Sequence, residues 1–208
     1  MTVSWIKHRF AGGVLALDTA NTVVLRGHAG KTFDRFDDAD EIARFADAAS
    51  IFRAGELGGR ALVAPNPRQI ASQVLAIREA TDGLFRDAVS TGGIAADKIS
   101  ALLTACAAGL HGKREQVGQP GRPFGDPSTP IAFEAALAVS ALSLLGGDSL
   151  ARMRICPNCN WLFLDKSRNS SRLWCDMAVC GNRRKASRHY HRKAAAKDAG
   201  DRKEAGNA

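Results

Sequence analysis

The sequence predicts an α+β chain: a mainly helical N-terminal domain with a short strand or hairpin, then a small cysteine-bearing finger, then a basic C-terminal helix. Three observations carry this. Apolar residues recur at helical spacing in several separate runs before residue 150, four of the five cysteines fall between Cys156 and Cys180, and positive charge gathers in the last quarter. The 208 residues suit one domain of about 150 with a small appendage, and 45% hydrophobic content is enough for a real core. The expected divisions are 1–150, 151–197 and a frayed tail over 198–208.

Taken in order, the chain is irregular from Trp5 and turns apolar after Gly12-Gly13, which predicts a short strand over 13–17. Asp18 can then cap a helix, with Asn21 three residues on. Asp18, Asn21 and Thr22 can equally line a small-ligand pocket, and the sequence leaves both readings open. Arg26 to Thr32 ends like a phosphate loop, but only two residues separate its glycines where four are needed, and the acidic run Asp34 to Asp38 follows. Asp38 with Glu41 starts a helix whose Ile42, Phe45 and Ala49 form a stripe.

Pro65-Asn66-Pro67 opens the next helix, with Asn66 as cap and Pro67 where its missing N–H is harmless. Ile70, Val74, Ile77 and Leu84 keep helical spacing until Thr91-Gly92-Gly93 stops it. A third helix over 96–109 carries Ile99, Leu102, Leu103, Cys106 and Leu110 on one face, which makes Cys106 an inert core thiol. Residues 111–127 read as a loop or short hairpin with His111 at the surface. Thr129-Pro130 then starts a helix that is apolar nearly all round, a central buried element, and Gly146-Gly147 ends it.

Cys156 and Cys159 are separated by two residues, Cys175 and Cys180 by four, and fifteen lie between the pairs. Two close pairs on a mid-length loop suit one tetrahedral zinc ion, structural because four thiolates leave no open position. Two disulfides would need an oxidising compartment, and no apolar signal segment or membrane-length run is visible, so a cytoplasmic protein without a membrane span is expected. Redox use of the first pair leaves the second without a role. Trp161, Phe163, Leu164 and Trp174 predict a hairpin between the pairs, with an aromatic patch beside the metal. The segment is thus a small zinc-binding finger.

Beyond Cys180, Lys185, Arg184, Arg188, His191 and Arg192 fall within an arc of about 120° on a helical wheel. Residues 151–208 hold fourteen Lys or Arg against five Asp or Glu, so the net +8 of the chain belongs to this quarter. Such asymmetry is the footprint of nucleic-acid binding. Arg183, Arg184, Lys185, Arg188 and Arg192 are the candidate phosphate or base contacts, with Arg168 and Arg172 added from the loop before the second pair. Asn182 is expected to cap the helix.

These residues resemble the CGNR zinc finger, through Cys180-Gly181-Asn182-Arg183, Phe163, Asp165, Ser167, Arg168, Arg172, Trp174, the four cysteines and Lys185. Upstream, Leu15-Ala16-Leu17-Asp18-Thr19-Ala20-Asn21-Thr22 resembles the opening of the ABATE domain, which usually precedes that finger. The resemblance implies a bacterial transcription regulator of the stress response that binds DNA and is nucleoid-associated. Its N-terminal domain would sense a small-molecule effector or form a homodimer. Two other readings stay open: an enzyme or ligand-binding protein using the N-terminal domain, and an RNA-binding protein whose aromatics stack bases. Against an enzyme, the N-terminal domain has no paired histidines at metal spacing and no Ser/His/Asp signature.

Overall fold

The computed structural model describes residues 2–114, 126–184 and 186. Its spine is α3, Pro67–Thr91, started by Pro67 in the first turn and closed by Gly92 in the left-handed region at φ 78°. Val74, Ile77, Leu84, Phe85 and Ala88 form its buried stripe. Asn66 precedes it without a side-chain cap, and only its carbonyl accepts, from Gln69 N–H at 3.0 Å. The helices α1 (Leu15–Ala20), α4 (Ala96–Leu110) and α5 (Phe133–Ser143) pack on this spine. α2 (Asp40–Phe52) closes the core with Ile42, Phe45, Ala46 and Ala49, as its spacing requires. α5 is buried on nearly every side, Phe133, Ala135, Ala136, Leu137, Ala138 and Ala141 among them, so it is the centre of the domain.

Several expectations are corrected. Residues 15–17 are helical, not extended, and all six residues of α1 are buried. A short unbroken apolar run has no period by which to tell the two states apart. Helix α5 begins at Phe133, not Thr129-Pro130. Ile131–Ala132 (β4) first pair in parallel with Leu62–Val63 (β3), a contact about 70 residues away that no local pattern encodes. Leu103 is 49% exposed, so the α4 stripe is narrower than its composition. Most of the 111–127 loop lies outside the described residues. Within the phosphate-loop lookalike, Thr32 Oγ1 donates to the carbonyls of Leu25 and His28 at 2.7 and 3.0 Å, and the strand Phe33–Asp34 (β2) follows, paired with Val23–Val24 (β1). Cys106 sits in the core with its thiol against Ala138 O, and burial pushes it up to about 11. It is unreactive at neutral pH.

The core also encloses charge. Asp18 lies in the middle of α1, not at its start; one carboxylate oxygen accepts from Gly12 N–H at 2.8 Å and the other from Arg53. Arg53 also donates to Phe10 O, and Glu56 accepts from Ser140 and Leu15 N–H at 2.6 and 2.8 Å. Burial outweighs Arg53 and the Gly12 amide and raises Asp18 to about 6. A raised acid takes up a proton on folding, so its contribution to stability falls as pH rises from about 4 to 6. For Asp18→Asn, the advantage of wild type over variant is expected to shrink by about 3 kcal/mol between pH 4 and pH 7. Paired melts would test this, since effects common to both proteins cancel. A gap that widens with pH would mean Asp18 is charged throughout.

Candidate metal centre

The finger is built on a two-stranded antiparallel hairpin, Met153–Ile155 (β5) against Leu162–Leu164 (β6), in register Arg154 with Phe163. It flanks the first cysteine pair instead of lying between the pairs as predicted, because a strand preceding Cys156 supplies the partner. Cys156 N–H donates to Trp161 O at 2.9 Å and Asn160 N–H to Cys156 O at 2.8 Å, which folds Cys156 to Asn160 into a tight turn. Asn160 has φ 62°, a region a short amide tolerates better than most side chains. The turn is fixed to the helical domain: Arg86 of α3 donates to Asn160 O at 3.1 Å, and Asn160 Nδ2 donates to Arg26 O at 2.8 Å.

The alternation of β6 decides what the finger touches. Leu162 points into the main core, while Trp161 and Phe163 pack against Cys156, Cys175 and Cys180. Asn21 binds the edge of this strand through both its amide groups, to Leu162 O at 2.8 Å and from Leu162 N–H at 3.0 Å. Leu164 N–H donates to Gly12 O at 2.8 Å. Hairpin and helical domain therefore share one interior.

From β6 the chain returns to the second pair around Asp165, which is fully buried and accepts from the N–H groups of Ser167 and Arg172 at 2.9 and 2.8 Å. Asp176 then caps the turn Met177–Gly181, accepting from Ala178 and Val179 N–H at 2.8 and 3.2 Å, and so presents Cys180 beside Cys175. Its other oxygen accepts from His8 Nδ1 at 2.8 Å, and the His8 ring stacks on Trp161. Burial opposes the charged form of Asp176, but His8 and the two amides prevail and hold the carboxyl below its ordinary range. The cap is thus Asp176, not Asn182, which follows the turn directly and donates its side-chain amide back to Ala178 O at 3.0 Å.

All four sulfur atoms lie within 4.8 Å of one another, with Cys159 to Cys175 at 3.5 Å and Cys175 to Cys180 at 3.6 Å. A zinc ion with Zn–S bonds of about 2.3 Å needs tetrahedron edges of about 3.8 Å. The thiol set therefore fits one structural zinc ion, and all five cysteines are free of disulfides. The protons show what a cation replaces. Sharing protons with Cys159 and Cys175 holds the Cys156 thiol well below the usual range, and the same sharing pushes Cys159 and Cys175 above it. A divalent ion takes over that role for all four, so loading releases protons.

The candidate contacts separate into groups. Arg172 is part of the finger: its guanidinium donates to Cys175 O and lies 5.3 Å over the Phe163 ring. Arg168, Arg183 and Arg184 are exposed. Lys185, Arg188 and Arg192, with the remainder of the expected basic helix, lie outside the described residues. Asp18, Asn21 and Thr22 are buried and bound internally; Thr22 Oγ1 donates to Thr19 O and meets Arg78 Nη1 at 3.2 Å. Sequence reasoning missed Asn160, Asp176 and His8. A polar residue just after Cys159 and just after Cys175 was a weak signal for the first two; His8 had none.

Residues 152–193 match the family model for the CGNR zinc finger, and residues 13–148 match ABATE, described as "Putative stress-induced transcription regulator". No curated protein and no solved structure matches the chain. No helix among the described residues is long and apolar enough to cross a membrane. With more than half its length under the ABATE model and a four-thiol centre under the second, the chain belongs to the ABATE family and ends in a CGNR zinc finger.

Proposed function

We propose that the protein regulates transcription by binding duplex DNA through its finger and the basic segment that follows, with the helical domain sensing a signal or pairing with a second copy. The observation that carries this is where the metal centre puts charge. Cys180 anchors the exposed residues Asn182, Arg183 and Arg184, and they open a stretch of the chain that holds most of its excess positive charge. A fixed start turns a diffuse cationic segment into one with direction, which phosphate neutralisation along a groove requires. Base stacking on RNA finds less support: Trp161 is 5% exposed and packs against the cysteines. Neither family description names an enzyme.

The test is binding of zinc-loaded protein to labelled duplexes across a salt series, with single strands alongside. Duplex binding should weaken with salt at a slope of about −0.9 per phosphate neutralised, and chelation should abolish it. Equal or tighter binding to single strands, or binding indifferent to chelation, would defeat this reading.

A further inference from the structure

Arginines of the helical domain are mostly paired with carboxylates: Arg26 with Glu79, Arg44 with Glu41, Arg53 with Asp18, Arg78 with Asp34 and Arg86 with Asp82. Arg9 and Arg35 are different, and make no ion pair among the described residues. Both are half-buried; Arg35 stands where the helical domain meets the finger, and Arg9 is close enough for its charge to act on Arg35. The Arg35 guanidinium lies 5.5 Å over the ring of Trp161 and 5.7 Å over that of Phe33, with one N–H on Asn21 O at 3.3 Å. Arg9 lies 5.7 Å over Trp5, and its neighbour His8 stacks on the same Trp161 ring while reaching Asp176.

The acids that could neutralise this pair are taken. Asp34 accepts from Arg78 with both oxygens and from Phe36 N–H. Glu41 accepts from Val3 N–H, the Trp5 indole and Arg44. Asp176 is shared by His8 and two amides. Burial and the nearby charge of Arg9 lower Arg35 to about 10, so it stays cationic at neutral pH while feeling repulsion. The Trp161 indole N–H is buried beside it without an acceptor. The acids within range, Glu41 for Arg9 and Asp34 for Arg35, are each already bound by another arginine, so the two half-desolvated guanidiniums are left short of counter-charge, a cost that an anion from outside relieves.

We propose that Arg9 and Arg35 hold a phosphodiester of bound DNA, so that the duplex rests on the junction of the two domains as well as on the finger. This deepens, and rests on, the DNA-binding reading. The charge is complementary, and Arg35 lies over Trp161, which packs against the cysteines of the metal centre.

The experiment is the duplex salt series repeated with Arg9→Gln, Arg35→Gln and the double variant, each zinc-loaded, with melting temperature and zinc content measured beside it. Arg9→Gln removes a side chain whose ring contact is Trp5 alone, which guards against misfolding of the Arg35 variant. Arg68→Gln, which removes the same charge from an exposed pair with Asp40, is the control. The double variant should bind about tenfold more weakly at physiological salt, with a slope shallower by about 0.9, while the control keeps the wild-type slope. If wild type binds and the double variant keeps its slope, the junction site is wrong and the finger reading stands. If wild type binds no duplex, both fall. Stabilisation of wild type by millimolar inorganic phosphate with an unchanged DNA slope would overturn the proposal by assigning the pair to a free anion.

Discussion

Replacing Cys175 by serine is expected to empty the metal site and lower the stability of the whole protein by about 3–5 kcal/mol. Cys175 lies 3.5 and 3.6 Å from two other sulfurs, and its carbonyl receives Arg172, so both the tetrahedron and the loop depend on it. Three remaining thiols bind zinc far more weakly, and the aromatic cluster of Trp161 and Phe163 is too small to persist without the ion. The loss spreads because the hairpin is part of the main core. Leu162 is fully buried there, and Asn21 and Gly12 both bind the edge of its strand. At about 3 °C per kcal/mol for a chain of this length, the melting temperature should fall by about 10 °C or more. Far-UV helix signal should survive, since α1 to α5 keep a continuous apolar core of their own. Metal analysis decides the matter: about one zinc per chain retained by the variant would rule out the four-thiolate site.

What could be read beforehand follows the range of the interactions involved. The cysteine spacing, the stripe of α2, the Pro67 start and Gly92 stop of α3 and the all-round burial of α5 are local, and the sequence shows them. The strand pair β3 with β4 and the flanking hairpin of the finger depend on partners brought in by tertiary packing. The link between His8 and Asp176 spans 168 residues, and that between Asn21 and Leu162 spans 141. Nothing near His8 distinguishes it from a surface histidine. Polar residues of the Asp18 to Thr22 run resemble a cap or a pocket when read alone, and become internal fasteners once the chain closes around them. The metal ligands were therefore legible, and the brace that ties them to the helical domain was not.

That brace converges on Gly12, and Gly12→Ala is expected to cost about 3–5 kcal/mol. The residue is buried; its N–H donates to Asp18 Oδ1 and its carbonyl accepts from Leu164 N–H, both at 2.8 Å. A Cβ here would sit 2.8 Å from Asp18 Oδ1, 2.9 Å from Asp18 N and 2.9 Å from the carbonyl carbon of Leu17. Two of those atoms are helix backbone and cannot swing aside, so the segment before α1 must move. Moving it takes the amide from a buried carboxylate that is already costly to charge, and removes an anchor of β6. The penalty is a close approach, unlike Gly13 with its φ of 97°, so no rotation of the new methyl relieves it. Gly83→Ala in α3 is the matched control: an added Cβ there meets nothing within 4 Å, and a small gain of up to about 1 kcal/mol is expected. Because Leu164 closes the hairpin that carries the first cysteine pair, Gly12→Ala should also release zinc to a competing chelator faster than wild type. Wild-type melting in Gly12→Ala would mean that this segment yields freely. Wild-type zinc release in a destabilised variant would instead mean that the metal centre is insulated from the domain beneath it.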